Sequence, residues 1–181
     1  MAESDAALIT RSVLGGDNRA FAALLERHQS MVRGLLLRLT GGNGSLADDL
    51  AQETFLQVFR SLGGYRGEAK FSSWLYRIAY NKFLTHKRRQ LVPDLEFGNG
   101  ADEDCPHPDR AIGARIDLER AMTTLKTAER AALTLCFAYG LSHVEASAVM
   151  GLPVGTIKSH IARGRDKLRL RLAPWAKEVA L

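Results

Sequence analysis

Between Gly64 and Arg89 the chain reads GYRGEAKFSSWLYRIAYNKFLTHKRR, in which Tyr, Phe and Trp rings are interleaved with Lys and Arg. Rings offer unpaired bases a stacking surface while cations hold the phosphates, so this composition suits a single nucleic-acid strand. On a helix beginning near Ser72 or Ser73, one side carries Leu75, Tyr76, Ala79 and Phe83. The other carries Trp74, Arg77, Asn81, Thr85 and Arg88 in a narrow stripe, preceded by the Gly-rich loop GGYRGEAKF. Periodicity divides evenly between two readings: a stripe that tracks a strand and holds extruded bases, and a solvated basic face with Trp74 in the core.

A second constellation lies in SHVEASAVMGLPVGTIKSHIARGRDKL. Ser142 with Glu145 makes a capping box, Gly151 ends a short helix, and Leu152-Pro153 turns the chain into another helix from about Val154. Two helices joined by so tight a turn form a helix-turn-helix signature. Val154, Ile157, Ile161, Gly164, Leu168 and Leu172 share the stripe that must face a core. Thr156, Ser159, His160, Arg163 and Lys167 lie opposite, flanked by Lys158 and Arg165. These groups can reach base edges and phosphates from within a major groove. The alternative is a helix that merely solvates the surface, and the turn before it weighs against that.

Other chemistry finds little support. Of the candidate metal ligands only Cys105 and His107 are close, and no paired Cys spacing completes a zinc site. The loop GGNGS at Gly41–Ser45 lacks the Gly-Lys-Ser/Thr of a phosphate-binding loop and reads as one helix ending and another starting. No Ser/His/Asp or paired-carboxylate set comes together, so neither an intrinsic enzyme activity nor a metal or other cofactor is expected.

The elements that position these residues are helical, because apolar residues recur at helical spacing and alternating β-branched runs are missing. The expected class is all-α. Phe21, Leu24, Leu25, Val32, Leu35, Leu36 and Leu39 form one stripe, opened by Asp17 or Asn18 and stopped by Gly41-Gly42. Ser45 with Asp48 predicts the start of a helix that turns Leu50, Thr54, Phe55, Val58 and Leu62 inward and closes at Gly63-Gly64. His28, set among apolar neighbours, reads as a satisfied boundary residue. Further helices are predicted around Ile112–Leu125 and Ala128–Tyr139, the latter ended by Gly140.

Charge divides the chain in three. Residues 1–90 carry 13 basic and 8 acidic groups, 91–114 carry 1 and 6, and 115–181 carry 11 and 6, giving +5, −5 and +5. The middle segment, with three prolines and three glycines, reads as a linker between two small helical domains. Two basic domains on an acidic tether fit two contacts with one polyanion, as they fit two unrelated basic domains. The acidic start MAESDAALIT has no apolar signal region, and the longest apolar run, Ala131–Leu141, is too short to cross a bilayer. A cytoplasmic protein without membrane insertion is expected, with Cys105 and Cys136 reduced.

The run ADDLAQETFLQVFRSLGGYRGEAKFSSWLYRIAYNKFLTHKRR, followed by GLSHVEASAVMGLPVGTIKSHIARGRDKLRLRL, resembles bacterial RNA polymerase sigma factors of the extracytoplasmic-function group. The resemblance covers nearly the whole chain. It implies that 1–90 bind core RNA polymerase and melt the minus-ten element, that 91–114 tether, and that 115–181 read the minus-thirty-five element of promoter DNA. Asp49, Gln52, Glu53 and Leu56 fall in the family's polymerase-binding segment. Tyr65, Arg66, Lys70, Phe71, Ser72, Ser73 and Trp74 match its strand-opening loop and helix start, and Arg77, Asn81 and Arg88 its promoter-facing helix. Thr156, Lys158, Ser159, His160, Arg163 and Lys167 fall in its upstream recognition helix. The resemblance also implies an anti-sigma factor. Thr85, Lys126, Ala146-Ser147 and His160 depart from the common pattern, the last standing where arginine is frequent. A plain helix-turn-helix regulator and a sigma-like decoy are the rival readings.

Overall fold

The structure, a computed structural model, describes residues 3–91 and 113–178. The acidic segment 91–114, with Cys105 and His107, lies almost wholly outside the described residues. The regular elements are helices, as the apolar spacing predicts.

Helix α1 (Asp5–Gly15) starts where Ser4 accepts a hydrogen bond from the Ala7 N–H and ends at Gly16. Helix α2 (Asn18–Leu39) starts from Asp17, whose carboxylate accepts from the Arg19 and Ala20 N–H groups. Beyond Leu39, Gly41 and Gly42 take φ of 71° and 96°, a left-handed reversal that glycine allows without strain. That reversal leaves Asn43 extended, and its side chain, rather than that of Ser45, caps helix α3 (Gly44–Ser61) by accepting from the Leu46 N–H at 3.0 Å. The predicted Ser45–Asp48 box does not form, because Asp48 accepts from the Arg33 guanidinium instead. A single 3-10 turn, Leu62–Gly64, closes α3, and a loop leads to α4 (Phe71–Leu91).

The later described residues form α5 (Gly113–Thr123), α6 (Thr127–Leu133), α7 (His143–Met150) and α8 (Val154–Glu178). The single helix expected over Ala128–Tyr139 is α6 followed by a π turn, Thr134–Ala138, in which the Tyr139 N–H reaches back to the Thr134 carbonyl at 3.2 Å. The extra residue re-aims Tyr139 relative to an uninterrupted helix. The α7–α8 turn follows the sequence reading: Ser142 and Glu145 cap each other's backbone, and Gly151, at φ 65°, ends α7.

Helix α2 is the axis of the first half, packed on α1, α3 and α4, while α8 packs on α5, α6 and α7. Leu24, Leu35, Leu36, Leu50, Leu75, Leu135 and Ile157 are fully buried. Each such side chain contributes about 1.5–3 kcal/mol over leaving it exposed. Gly164 lets α8 approach α6: a Cβ there would stand 2.6 Å from Leu133 Cδ1. The two halves also touch, α4 against α7 and α2 against α6, so one apolar cluster runs through both.

Candidate nucleic-acid interface

The loop before α4 is held by its own tyrosine, whose hydroxyl donates to the Ala69 carbonyl at 2.6 Å, with Gly67 at φ 74° making the reversal. Tyr65, Phe71 and Trp74 then form a three-ring cluster, with centroids 5.5 Å apart for Tyr65–Phe71, 5.3 Å for Tyr65–Trp74 and 5.6 Å for Phe71–Trp74. Spacings of this size suit edge-to-face and tilted ring pairs. Phe71 is the buried member, and its other edge meets His28 at 5.2 Å. His28 is buried, its Nε2 2.8 Å from Asp5 and its Nδ1 without a partner, so the boundary reading is half right: one ring nitrogen is satisfied.

Trp74 is half-buried, packed against the core while a part of it stays accessible. Trp74 thus belongs in part to the core and in part to the accessible face. Beyond it Arg77, Asn81, Thr85 and Arg88 are exposed in a row along α4, opposite buried Leu75, Tyr76, Ala79 and Phe83. Arg66 and Lys70 are exposed in the loop, Ser72 is half-buried, and Ser73 is buried with its hydroxyl unpartnered. Phe71 and Ser73 thus support the surface from beneath. Lys70 Nζ lies 3.1 Å from Glu145.

On α3, Asp49, Gln52, Glu53 and Leu56 share one exposed face. Glu53 stands 3.5 Å from Lys82 of α4. Leu56 and Phe59 are each 57% exposed, and Phe59 stacks edgewise on Phe21 at 5.1 Å. Phe59 escaped the sequence reading; its position three residues after Leu56 was the signal that could have found it.

Along α8, Lys158, Ser159 and Arg163 are exposed, and Thr156 and His160 are half-buried. Arg163 Nε donates to the Ser159 carbonyl at 3.2 Å, and the Ser159 hydroxyl donates to the Gly155 carbonyl at 3.0 Å. Burial, then the neighbouring Arg163 charge, lowers the His160 pKa from its ordinary 6.5, so the ring is neutral at pH 7 and its Nδ1 has no partner. Lys167 is half-buried. Its ammonium donates to Glu129 at 2.7 Å across the α6–α8 contact.

Residues 24–91 match Sigma-70 region 2, and residues 115–168 match Sigma-70, region 4. The RNA polymerase sigma-H factor of Pseudomonas aeruginosa is 37% identical, with 97% of each chain covered. The ECF RNA polymerase sigma factor SigE of Mycolicibacterium smegmatis is 38% identical over 91% of this chain and 67% of its own. Among solved structures, CnrH in complex with the cytosolic domain of CnrY superposes with a TM-score of 0.69 at 28% identity, over 95% of this chain and 99% of that one. With the helix-turn-helix in one half and the ring-and-cation surface in the other, the chain belongs to the extracytoplasmic-function family of RNA polymerase sigma factors, which direct the polymerase to promoters.

Proposed function

We propose that residues 1–90 hold core RNA polymerase and open the minus-ten element, that 91–114 act as the tether, and that 115–181 read the minus-thirty-five duplex. The observation that carries this is the exposed row Arg77, Asn81 and Arg88 continuing from the Tyr65–Phe71–Trp74 cluster. Unstacking a base costs a few kcal/mol, and an accessible ring beside cations offsets that cost for an extruded base. The outward Asp49, Gln52, Glu53 and Leu56 of α3 form the polymerase contact, extended by Phe59. Thr156, Lys158, Ser159, His160 and Arg163 are the upstream readers, with phosphate contacts from the cations and base contacts from the amino end of α8.

The protein supplies no chemistry of its own and needs no cofactor; RNA synthesis belongs to the polymerase. It works in the cytoplasm, where the polymerase is, and an anti-sigma factor controls it, as a partner occupies CnrH in its solved complex. Among the described residues no helix is long and apolar enough to cross a membrane. Run-off transcription with purified core polymerase tests the reading. Promoter-dependent RNA is expected; tight promoter binding without polymerase and no RNA would instead indicate a plain helix-turn-helix regulator.

A further inference from the structure

The first helix shares a recess with the loop before α4. Asp5 and Ile9 line it from α1, and Tyr65, Lys70, Phe71 and Ser72 line it from the loop and the first turn of α4, around about 430 Å³ of open space. That volume falls among those of small-molecule sites, roughly 300–1,000 Å³. The rings are already fixed, Tyr65 by its hydrogen bond to Ala69 and Phe71 by burial against His28. Asp5 is fixed as well: one carboxylate oxygen accepts from the Arg27 guanidinium, and the other lies 2.8 Å from His28 Nε2. Arg27 also donates to the Glu3 carbonyl at 2.7 Å, which ties the chain ahead of α1 to α2. A carboxylate has about four lone-pair directions, so each Asp5 oxygen keeps one for a further donor, and 28% of the side chain remains exposed. Its charge reaches the ring opposite, since burial and then Asp5 raise the Tyr65 hydroxyl above its ordinary pKa of 10.

A negative group beside a nucleic-acid strand calls for a reason. Arg27 offsets the Asp5 charge, which leaves the carboxylate an acceptor rather than a source of net repulsion. An extruded base exposes its pairing edge. Adenine, cytosine and guanine each present an exocyclic amine there, whereas thymine presents a single N–H between two carbonyl oxygens that a carboxylate repels. We propose that Asp5 is a specificity-determining residue of strand opening: it accepts from the exocyclic amine of a base extruded into this recess beside Tyr65, and it disfavours thymine there. The proposal rests on the promoter reading given above. Helix α1, which precedes the residues matched to region 2, thereby takes part in reading the minus-ten element.

Run-off transcription with core polymerase, on templates already unpaired over the minus-ten element, tests base capture without the cost of melting. Each position of the unpaired non-template strand is set in turn to A, C, G and T. At one position the wild type should make about ten-fold less RNA with thymine than with the best amine-bearing base, the discrimination expected of one good polar contact to a base. Asp5→Asn, whose amide both donates and accepts, should erase that difference, while Asp5→Glu, which keeps the charge on a longer stem, should retain only part of it. Replacing adenine there by purine, or cytosine by 2-pyrimidinone, deletes the amine alone; it should lower the wild-type yield and leave that of Asp5→Asn unchanged. Should Asp5→Asn fail to fold, Asp5→Glu and the amine-deleted bases carry the test. An equal loss for all four bases in Asp5→Asn, a difference undiminished in Asp5→Glu, or a wild type that tolerates thymine at every position would each overturn the proposal. Wild-type RNA without a base preference that depends on Asp5 sinks this proposal alone, and no promoter-dependent RNA from any template sinks the promoter reading beneath it.

Discussion

Lys167 Nζ lies 2.7 Å from Glu129, a carboxylate on a residue only 2% exposed, and the same carboxylate oxygen accepts from the Lys126 N–H at 3.0 Å. Burial pushes the Glu129 pKa up, but the hydrogen bonds from Lys167 and the Lys126 backbone outweigh it and hold the carboxyl below its ordinary 4.5. One oxygen thus ties the start of α6 to the middle of α8.

Lys167→Ala should therefore behave as a stability variant. It leaves a buried carboxylate short of its charge partner, at a cost of about 1–3 kcal/mol. Thermal melting should fall, while the salt dependence of upstream DNA binding stays as in the wild type. Because the folded carboxyl is depressed, its contribution is complete above pH 4.5 and disappears as pH falls through the folded value. Wild type and variant should therefore converge in stability in acid. A reduced salt slope in Lys167→Ala would return this side chain to the groove.

What was legible in the residues was local punctuation. Ser142 with Glu145, Gly151 and Pro153 each act within a turn, so the helix-turn-helix could be located to the residue. Asn43 was missed because GGNGS offers two cap candidates; the choice between them depends on the φ of Gly42 and on Arg33, fifteen residues away from Asp48. The exposed row on α4 followed from periodicity, whereas the half-burial of Trp74 depends on Tyr65 and Phe71 closing over it. Lys167 lay on the outward side of a helical wheel, which cannot register a carboxylate arriving from α6. The π turn was illegible for the same reason, since Tyr139 is held by groups on α2.

Trp74→Ala should impair opening more than recruitment. The indole is, with Tyr65, one of the two partly accessible rings of the cluster, so its loss removes a stacking surface worth about 1–3 kcal/mol per base. Run-off transcription should drop roughly ten-fold or more on a closed duplex. Closed-complex footprints should persist, and a template already unpaired over the minus-ten element should restore most of the RNA. Failure of that template to rescue any activity would remove Trp74 from strand opening.

Gly164→Ala sets two effects against each other. Alanine gains about 1 kcal/mol of helix propensity. Its Cβ would meet Leu133 Cδ1 at 2.6 Å, with Leu133 Cγ at 3.4 Å and Glu129 Cβ at 3.5 Å behind it. Leu133 is buried and has little room to rotate away, and overpacking of this kind costs about 1–3 kcal/mol. Net destabilisation of roughly 1 kcal/mol is expected in denaturant unfolding. A stabilised variant would mean that α6 and α8 separate easily, and the account of Gly164 as a spacer would be wrong.

His160 and Arg163 lie three residues apart on α8 but carry different charge. Arg163→Ala should weaken upstream duplex binding and lower the salt slope by about 1, as removal of one phosphate contact does. His160→Gln should leave the slope at pH 7.5 unchanged, because burial and the Arg163 charge keep the imidazole neutral there. Since the folded pKa lies below 6.5, histidine costs no stability above that value, and the cost grows as pH falls through the interval down to the folded value. DNA phosphates favour the protonated ring, so wild-type affinity for the duplex should rise by roughly two-fold or more between pH 7.5 and 5.5. In His160→Gln that rise should be absent. An equal rise in both proteins would place the titrating group elsewhere on the surface, and a shallower slope for His160→Gln at pH 7.5 would show that the ring is already charged when it meets DNA.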